Sequence, residues 1–320
     1  MRNILRRLFG TALVALIAVA CARPVLADLP KPFIVFGDSL SDSGNAFVIL
    51  NAVTVPPFQS LVPAAPYARG GLHFSNGSTW IEQLALIDHA NPSADPALRA
   101  PGVFSNYAVG SARARLAGPY DLTGQINRFL TDFGGAAPAE ALYVVWIGGD
   151  DLRDAVVALA TDQSGATSLA ILQQAIAAIQ NDLLILYGAG ARNFLVLNAP
   201  DVGLAPEAIL GGPVVQFYAS LLSSQFNVAL EQMLSGLQAG LGVPIVRVDI
   251  FALLHEVVAD PAAFGLTDVT DPCIRVNSTG QPFCKRPDEF LFWDGTHPTV
   301  VGHEIVAERA DAALGVVWPH

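Results

Sequence analysis

Five short apolar runs limit what this chain can fold into more than any other feature of its sequence. Each run is nearly continuous and rich in β-branched side chains. Strands of a parallel sheet have this pattern because helices cover both of their faces. Longer segments with helical spacing separate the runs, so we predict a parallel sheet with helices on both sides. The predicted strands are residues 33–36, 103–108, 142–147, 194–198 and 244–249.

Three segments have the periodicity of helices, and the clearest spans residues 167–187. The other two are residues 214–238 and 299–314. The first ends before Gly188-Ala-Gly190, because glycine commonly follows the last turn of a helix. Its apolar residues lie on or near one stripe, which consists of Leu169, Ile171, Ile176, Ile179, Leu183 and Leu186.

Two segments, residues 46–76 and 255–293, lack regular periodicity. Long irregular segments of compact domains are often functional. Both begin or end beside the candidate catalytic residues described below, so we expect them to shape a substrate cleft. The sequence has no internal repeat and no linker, and we predict that residues 28–320 form one domain.

Residues 1–27 have the pattern of a secretory signal peptide. Three arginines precede an apolar run over residues 8–20, which is too short to span a bilayer. Small residues then favour cleavage before Asp28, and the mature protein would be secreted or periplasmic. The alternative is a lipoprotein that is processed and anchored at Cys21.

The composition excludes some classes of partner. The chain has 320 residues, 52% of them hydrophobic, which is ample for a large core. Its formal net charge is −11, so we expect no binding to nucleic acid or to anionic membrane surfaces. We also predict no transmembrane segment in residues 28–320.

Two cysteines remain if Cys21 is removed with the signal peptide. Cys273 and Cys284 are an even pair in a chain predicted to be exported, which favours a disulfide. The bridge would close a loop rich in Pro, Asn, Ser and Gly. Two free thiols are the alternative.

Three residues have the chemistry required for acyl transfer. Ser39 follows the first predicted strand, and Asp294 lies three residues before His297. A serine hydroxyl attacks only with the help of a base, and a carboxylate can orient a histidine for that role. Ser39, His297 and Asp294 are therefore our candidates for nucleophile, base and orienting acid.

Simpler interpretations exist for these residues. Ser39 could cap a helix N-terminus, and Asp294 could cap a surface turn. Among the other histidines, we expect His303 to be exposed to solvent on the last helix. His255 has no second histidine four residues later, so it forms no zinc motif.

Several motifs that would indicate other chemistry are absent from the sequence. It contains no Gly-x-Ser-x-Gly, no Walker loop, no Gly-x-Gly-x-x-Gly and no Cys-x-x-Cys. Asp38 and Asp42 flank Ser39 and argue against phosphate, nucleotide or flavin binding there. We expect no metal and no organic cofactor.

Four blocks of sequence, in this order, resemble the GDSL family of the SGNH hydrolases, which are exported esterases and lipases. A segment over residues 74–80 also resembles one that is common in the bacterial lipase and lecithinase-like branch. The resemblance extends over residues 33–314 and implies a flavodoxin-like three-layer α/β/α sandwich, with the five predicted strands as its parallel sheet. The blocks are Gly37-Asp-Ser-Leu-Ser-Asp-Ser-Gly-Asn45, Asn106-Tyr-Ala-Val-Gly110, Gly148-Gly-Asp-Asp151 and Asp294-Gly-Thr-His297.

The resemblance also implies roles for individual residues. Ser39 would be the nucleophile, His297 its base and Asp294 the partner of the base. The oxyanion hole would consist of the backbone N–H groups of Ser39 and Gly110 and of a side chain in the third block, at Asp150.

Asp150 is where the sequence departs from the family pattern, which has asparagine at this position. An ionised aspartate cannot donate a proton, and the loss of one oxyanion donor typically lowers kcat by about 10²–10³. Asp150 could be protonated and donate as a neutral acid, since burial near other carboxylates raises a pKa. Alternatively, the enzyme is slow, or it has lost catalysis.

The leading functional hypothesis is an exported serine esterase or lipase, a class that includes phospholipases, that hydrolyses carboxylic esters through an acyl-enzyme on Ser39. An acyltransferase would differ only in the acceptor of the acyl group. A non-catalytic binding protein that keeps the fold is the alternative of a different class, and it rests on Asp150. The expected substrate is a small-molecule or lipid ester. Aromatic residues near the first strand are candidates for lining an acyl pocket or for ordinary packing, and they are Phe36, Phe47, Phe58, Tyr67 and Phe74.

Overall fold

A parallel sheet forms the centre of the fold. The structure is a computed structural model that describes residues 29–50, 73–274 and 284–319. In these residues the main sheet has four strands, and each strand pairs in parallel with the next. In order across the sheet they are β1 (Phe33–Gly37), β2 (Leu142–Trp146), β3 (Asn193–Leu197) and β4 (Ile245–Val248).

The prediction of a fifth strand at residues 103–108 is wrong. This segment lies beside β1, but only Asn106 forms a β-bridge there, opposite Val35. On its other side, Asn106 accepts a hydrogen bond from the N–H of Ala97 at 2.8 Å and donates one to the carbonyl of Asp95 at 3.2 Å. The segment is thus held between β1 and a loop by isolated hydrogen bonds, and no ladder forms.

The three predicted helices are present, and each continues two or three residues beyond its predicted C-terminal end. Their bounds in the structure are Ala166–Ala189, Pro213–Leu241 and Val300–Val317. The helices of the described residues are α1 (Asn45–Leu50), α2 (Trp80–Ile87), α3 (Leu122–Asp132), α4 (Gly149–Ala158), α5 (Ala166–Ala189), α6 (Pro206–Leu210), α7 (Pro213–Leu241), α8 (Ile250–Ala259) and α9 (Val300–Val317).

Two hydrophobic cores lie on opposite faces of the sheet, because successive side chains of a strand point to opposite faces. In β1, Ile34 and Phe36 pack into the core formed with α3, α4, α5 and α7. Phe33 and Val35 pack into the core formed with α2, α8 and α9. The protein is therefore an α/β/α sandwich.

Helix α5 belongs to one of these outer layers. Ile179, Leu183 and Leu186 of the predicted stripe are buried, whereas Leu169 is 46% exposed. By length and composition alone, α5 is the one helix of the described residues that could cross a membrane. Its buried face packs against α3, α4 and α7, as expected for a helix of the core.

The predicted loop at residues 255–293 contains more regular structure than the sequence indicates. Helix α8 continues into it, and two short strands follow, β5 (Asp268–Pro272) and β6 (Phe290–Phe292). These strands pair in parallel and form a separate small sheet. Few residues make up each element, which explains why no periodicity is visible in the sequence.

A disulfide joins Cys273 to Cys284 beside this small sheet. Their Cα atoms are 4.8 Å apart. The N–H of Cys284 donates a hydrogen bond to the carbonyl of Cys273 at 2.7 Å, and both residues pack against Trp293. The bridge therefore lies next to the segment that leads to His297.

Some sequence predictions fall on residues outside the described ranges. The predicted signal peptide at residues 1–27 and the alternative lipidation site at Cys21 lie there. Of the predicted loop at residues 46–76, the structure describes only the two ends. The first of these ends belongs to α1.

The expectation that His303 is exposed is wrong. This histidine is 1% exposed and lies on the buried face of α9, where α9 packs against α2. Burial lowers the pKa of His303 to about 3, with a smaller contribution from His297 and His73. The last helix is buried along more of its circumference than its charged residues suggest.

The buried face of α5 allows a test of the core. We expect Leu183→Ala to lower the free energy of unfolding by about 2–5 kcal/mol, because Leu183 is 3% exposed and its removal leaves a cavity. The matched variant Leu169→Ala on the exposed face should cost only about 0.5 kcal/mol. Urea denaturation measures both, and equal losses would contradict the packing of this helix.

Candidate active site

Ser39, His297 and Asp294 form a chain of hydrogen bonds at the carboxyl edge of the sheet. Ser39 Oγ lies 2.8 Å from Nε2 of His297, although the two residues are 258 positions apart in the sequence. Nδ1 of His297 lies 2.7 Å from Oδ2 of Asp294. Ser39 follows β1, whereas His297 and Asp294 lie between β6 and α9. The fold thus brings together the three candidates for acyl transfer.

Asp294 is fully buried and held as an acceptor. Its Oδ1 accepts hydrogen bonds from the N–H groups of Thr296 at 2.8 Å and His297 at 2.7 Å. Burial by itself would raise the pKa of Asp294, but the His297 imidazole and these hydrogen bonds outweigh it and keep the pKa below its usual value. The ionised carboxylate therefore favours a proton on Nδ1 of His297, which leaves Nε2 facing Ser39.

His297 has a raised basicity. The residue is 4% exposed, and burial disfavours the charged imidazolium. Asp294 opposes this effect, with smaller contributions from Asp150 and Asp38, and the pKa of His297 rises above its usual value. A raised pKa makes the imidazole a better acceptor for the proton of a serine hydroxyl.

The turn that presents Ser39 is fixed at Gly37. Gln125 of α3 donates a hydrogen bond to the Gly37 carbonyl at 2.7 Å and accepts one from its N–H at 2.9 Å. A Cβ atom at Gly37 would lie 2.5 Å from the carbonyl oxygen of Trp146 in β2, so no larger residue fits. The close approach of β1 to β2 thus sets where the serine leaves the sheet.

Asp42 has a structural role that the sequence did not reveal. It is 1% exposed, and its carboxylate accepts hydrogen bonds from the N–H groups of Gly44 at 2.8 Å, Asn45 at 2.6 Å and Ala46 at 3.0 Å. A fourth comes from the N–H of Gly110 at 2.8 Å. Asp42 therefore joins the start of α1 to the loop that contains Gly110.

The hydrogen bond from Gly110 to Asp42 does not match the prediction that the Gly110 N–H belongs to an oxyanion hole. The Gly110 N–H points to Asp42 and is already used. The ring of Phe74 covers Gly110 so closely that a Cβ atom would lie 2.3 Å from it. The next residue, Ser111, has a positive φ of 65° and lines the cavity that also contains Ser39. In the described part of the chain, nothing accepts a hydrogen bond from the Ser39 N–H.

Asn106 fastens the serine turn to the neighbouring loop. Its Nδ2 donates to the Ser41 carbonyl at 2.7 Å and to Oγ of Ser43 at 3.0 Å. Nδ2 of Asn45 in turn donates to the carbonyls of Asn106 at 2.7 Å and Ala108 at 2.9 Å. The first two sequence blocks therefore support each other through buried amides.

The segment that begins at Phe74 holds the other half of the site. Oγ of Ser75 donates to the carbonyl of Pro298 at 2.9 Å, and Oδ1 of Asn76 accepts from the N–H of Val300 at 2.7 Å. The centre of the Phe74 ring lies 5.2 Å from that of His297. These contacts fix the start of α9 and, with it, the imidazole.

Asp150 lines the same cavity as Ser39, in the first turn of α4. Burial raises the pKa of its carboxyl group. The positive charges of Arg113 and Arg153 and the His297 imidazole oppose this rise without cancelling it. Asp150 thus faces the cavity that also contains Ser39 and does not turn away from it. Its carboxyl group holds its proton at higher pH than that of an exposed aspartate does.

A second carboxyl group, that of Asp38, lies beside Ser39. Asp38 is 2% exposed, and its Oδ1 accepts a hydrogen bond from the N–H of Leu40 at 3.0 Å. Burial, together with repulsion from Asp150, raises the pKa of Asp38 to about 7. The site therefore contains two carboxyl groups that ionise at unusually high pH.

The other acidic residues of α4 are neutralised by arginines. Asp151 accepts hydrogen bonds from the N–H of Ala114 at 2.7 Å and from the Arg115 guanidinium at 2.8 Å. Arg113 and Arg115 both bind Asp154, at 2.6 and 2.7 Å. Asp151 and Asp154 are therefore paired with arginines outside the cavity, and they are structural rather than reactive groups.

The described residues contain no group of three or more His, Cys, Asp and Glu side chains that could hold a metal ion. His255, which lacks a zinc motif, instead contacts Asp201 at 2.9 Å through Nε2. Ser39 and His297 lie on a cavity of about 350 Å³, within the range of small-molecule sites. The arrangement can move a proton from a serine hydroxyl to a histidine beside a space for an organic substrate.

The chain is similar to several known proteins. Two Pseudomonas proteins match 95% and 90% of the length of this chain. The chain spans only about half of the length of these proteins, 52% and 48%. One of them is esterase EstA of Pseudomonas aeruginosa, with 30% identity. A GDSL esterase/lipase of Arabidopsis thaliana is 22% identical over 88% of this chain and 87% of its own. The crystal structure of a phospholipase A1 from Streptomyces albidoflavus superposes with a TM-score of 0.41 and 15% identity, over 89% of this chain and 99% of that one.

The family model of GDSL-like lipases and acylhydrolases matches residues 33–310, which include Ser39, Asp150, Asp294 and His297. This match covers nearly all of the residues that form the sandwich. The chain therefore belongs to the family of GDSL-like lipases and acylhydrolases, which are hydrolases of the esterase and lipase type.

Proposed function

We propose that this protein is a serine hydrolase of carboxylic esters that acts through an acyl-enzyme on Ser39. The observation that carries the proposal is the chain of hydrogen bonds from Ser39 through His297 to the buried, ionised Asp294. Nucleophile, base and orienting acid are at hydrogen-bonding distance without any rearrangement. The family membership supports the same type of reaction.

In the proposed reaction, Nε2 of His297 takes the proton of Ser39 as Oγ attacks the ester carbonyl. Asp294 stabilises the imidazolium that forms. The imidazolium then protonates the leaving alcohol, and the acyl group remains on Ser39. Water, activated by the neutral His297, attacks the acyl-enzyme and releases the acid, which restores Ser39.

The oxyanion that forms in each attack needs hydrogen-bond donors. We assign one donor to the Ser39 N–H and a second to Asp150 in its protonated form. The burial that raises the pKa of Asp150 supports this assignment, because a neutral carboxyl group can donate a hydrogen bond whereas a carboxylate repels the oxyanion. The Gly110 N–H would contribute only if it left Asp42.

A binding protein without catalysis is the second candidate. Two observations favour it. The Gly110 N–H already donates a hydrogen bond to Asp42, and Asp150 is an acid with no amide N–H to donate. A fluorophosphonate probe separates the candidates, because it reacts covalently with an activated serine and ignores an inert one.

We also propose that the protein is exported after removal of residues 1–27. The arginines and apolar run of this segment support export, as does the pair Cys273–Cys284, because disulfides persist outside the cytosol. Mass spectrometry of the protein recovered from a bacterial host should give a chain that begins at Asp28. A lipid-modified chain beginning at Cys21 would identify a lipoprotein, and an unprocessed chain would refute both routes.

The role of Ser39 is tested by its replacement. We expect Ser39→Ala to lower kcat for p-nitrophenyl butyrate by at least about 10⁴-fold, and to abolish labelling by the fluorophosphonate. Ser164→Ala, at an exposed serine that does not line the cavity, should leave both unchanged. Residual turnover of more than a few per cent in Ser39→Ala would remove this residue from the nucleophile role.

The role of Asp150 is tested by the pH dependence of the rate. His297 must be neutral to act as base, and Asp150 must be protonated to donate. Because the two requirements change in opposite directions with pH, the rate should pass through a maximum and fall on both the acid and the alkaline side. We expect Asp150→Asn to remove only this fall on the alkaline side, because an amide donates at every pH.

Asp38→Asn is the matched variant for this experiment. Arg113, Arg153, Asp151 and His297 also act on Asp150, and the variant leaves them in place. The fall on the alkaline side should persist but move to lower pH, because one negative neighbour of Asp150 is lost. If instead Asp38→Asn removes the fall and Asp150→Asn does not, Asp150 is not the donor.

A further inference from the structure

Exposed apolar side chains follow one another along α6 and the first turns of α7. Four of them recur on α7 at spacings of three and four residues, so they lie on one face of that helix. The fifth ends α6, which packs against α7. The exposed fractions of these side chains range from 39% to 83%. We call this set the apolar patch, and it consists of Leu210, Val214, Phe217, Tyr218 and Leu221.

The apolar patch lies in a part of the chain that carries no charge. Residues 208–230 contain no Asp, Glu, Lys, Arg or His, although the whole chain has a formal net charge of −11. Single exposed apolar side chains are normal on a protein surface. A contiguous set of them more often marks a surface that binds a partner or a membrane.

The apolar patch borders the cavity of the candidate active site. Val215 lines this cavity and is next to Val214 of the patch. Glu207 and Arg153 also line the cavity, and because the side chains of this ion pair are about half-exposed, they lie at its mouth. Leu210 follows Glu207 by three residues and therefore lies on the same face of α6.

Helix α4 adds a further apolar side chain at the mouth. Val157 follows Arg153 by four residues, lines the cavity and is 65% exposed. The charges of Arg153 and Glu207 cancel, since the two side chains are bound to each other at 2.6 Å. An apolar molecule at the patch can therefore reach the cavity without passing an unpaired charge of this ion pair.

We propose that the apolar patch docks the protein on the surface of a lipid layer without net charge, so that lipid esters enter the cavity directly from that layer. The inference goes beyond the proposed function and rests on it only for the hydrolysis of the lipid that enters. Removal of the exposed side chains from water would stabilise the docked state. The rings of Phe217 and Tyr218 are 5.3 Å apart, and tyrosine suits the boundary between hydrocarbon and water.

Charge decides which surface the patch fits. A layer without net charge matches the uncharged segment at residues 208–230, whereas an anionic layer would repel the acidic chain. A second copy of the protein fits less well, because it would bring the same net negative charge and would lie beside the mouth of the cavity.

The aromatic residues near β1, which the sequence indicates as candidates for an acyl pocket, are not part of this surface. Phe74 lines the cavity, but on the side of His297. Phe36 is buried in the core, and Phe58 and Tyr67 lie outside the described residues. The apolar surface at the mouth comes instead from α4, α6 and α7, and no sequence motif marks it.

Binding of the Ser39→Ala variant to vesicles tests the proposal without consuming lipid. Sedimentation with sucrose-loaded phosphatidylcholine vesicles measures the partition coefficient. We expect Ser39→Ala to bind these vesicles, and to bind more weakly to vesicles of phosphatidylcholine mixed equally with phosphatidylglycerol, because the acidic chain is repelled. No binding to phosphatidylcholine, or tighter binding to the anionic mixture, would overturn the inference.

Charged replacements within the apolar patch should remove this binding. The double variant Leu210→Glu with Phe217→Glu, at positions 83% and 63% exposed, should lower the partition coefficient at least tenfold. The matched control is Val316→Glu with Leu86→Glu, at positions 82% and 60% exposed on α9 and α2, and it should retain the binding. Equal losses in the two pairs would contradict a docking role of the patch. If the first pair fails to fold, Val214→Glu, at a position 69% exposed, replaces it.

Activity gives a second readout. On the background of intact Ser39, the double variant at Leu210 and Phe217 should hydrolyse dissolved p-nitrophenyl butyrate at the unchanged rate. Its hydrolysis of emulsified tributyrin should fall at least tenfold, because that ester is reached only at the surface of the droplets. Equal falls on both substrates would show that the replacements disturb the site itself and would contradict the inference.

Sedimentation velocity without lipid separates docking on lipid from self-association. We expect a monomer, and a dimer that the double variant at Leu210 and Phe217 dissociates would make the patch an interface between copies and overturn the inference. Hydrolysis of dissolved ester by a protein that does not bind vesicles overturns the inference and leaves the proposed function standing. If no ester is hydrolysed and Ser39 is not labelled, the function falls. Vesicle binding by Ser39→Ala that the double variant lowers would still support the docking surface.

Discussion

The parallel alignment of β1 with β2 and β3 is the constraint on which the site depends. Parallel strands end at the same edge, so the turn after β1 and the first turn of α4 must meet there. Ser39 and Asp150 are the residues that the chain places at these two points. The last helix returns to the same edge and adds His297. An antiparallel strand in the place of β2 would move Asp150 to the far end of the molecule.

The sequence predicts the four strands of the main sheet better than the segment that lies beside β1. Continuous apolar runs identify β1 to β4, because strands buried on both faces have no polar side. The fifth run, at residues 103–108, has a similar composition, but its backbone hydrogen bonds go to a loop on one side and to a single residue of β1, Val35, on the other. Hydrogen-bond partners of this kind depend on tertiary contacts and leave no periodic signal.

The same distinction applies to the candidate site. The spacing of Asp294 and His297 follows from local geometry, so the sequence already indicates their contact. The binding of Gly110 by Asp42 and the burial of His303 depend on segments that are distant in sequence. The repulsion between the carboxyl groups of Asp38 and Asp150 also depends on distant segments, since it arises only when β1 and α4 are packed together.

The position of α9 also has a consequence for the folding of the chain. Ser39 and His297 are 258 residues apart, and the contacts of Ser75 and Asn76 with the start of α9 join the two regions. Contacts of such long sequence separation are costly to form, because closing a large loop costs chain entropy before any packing repays it. Partly folded molecules in which α9 is undocked therefore have Ser39 without the contact to His297. Chemical reactivity at Ser39 would then report completion of the whole fold and could follow refolding in real time.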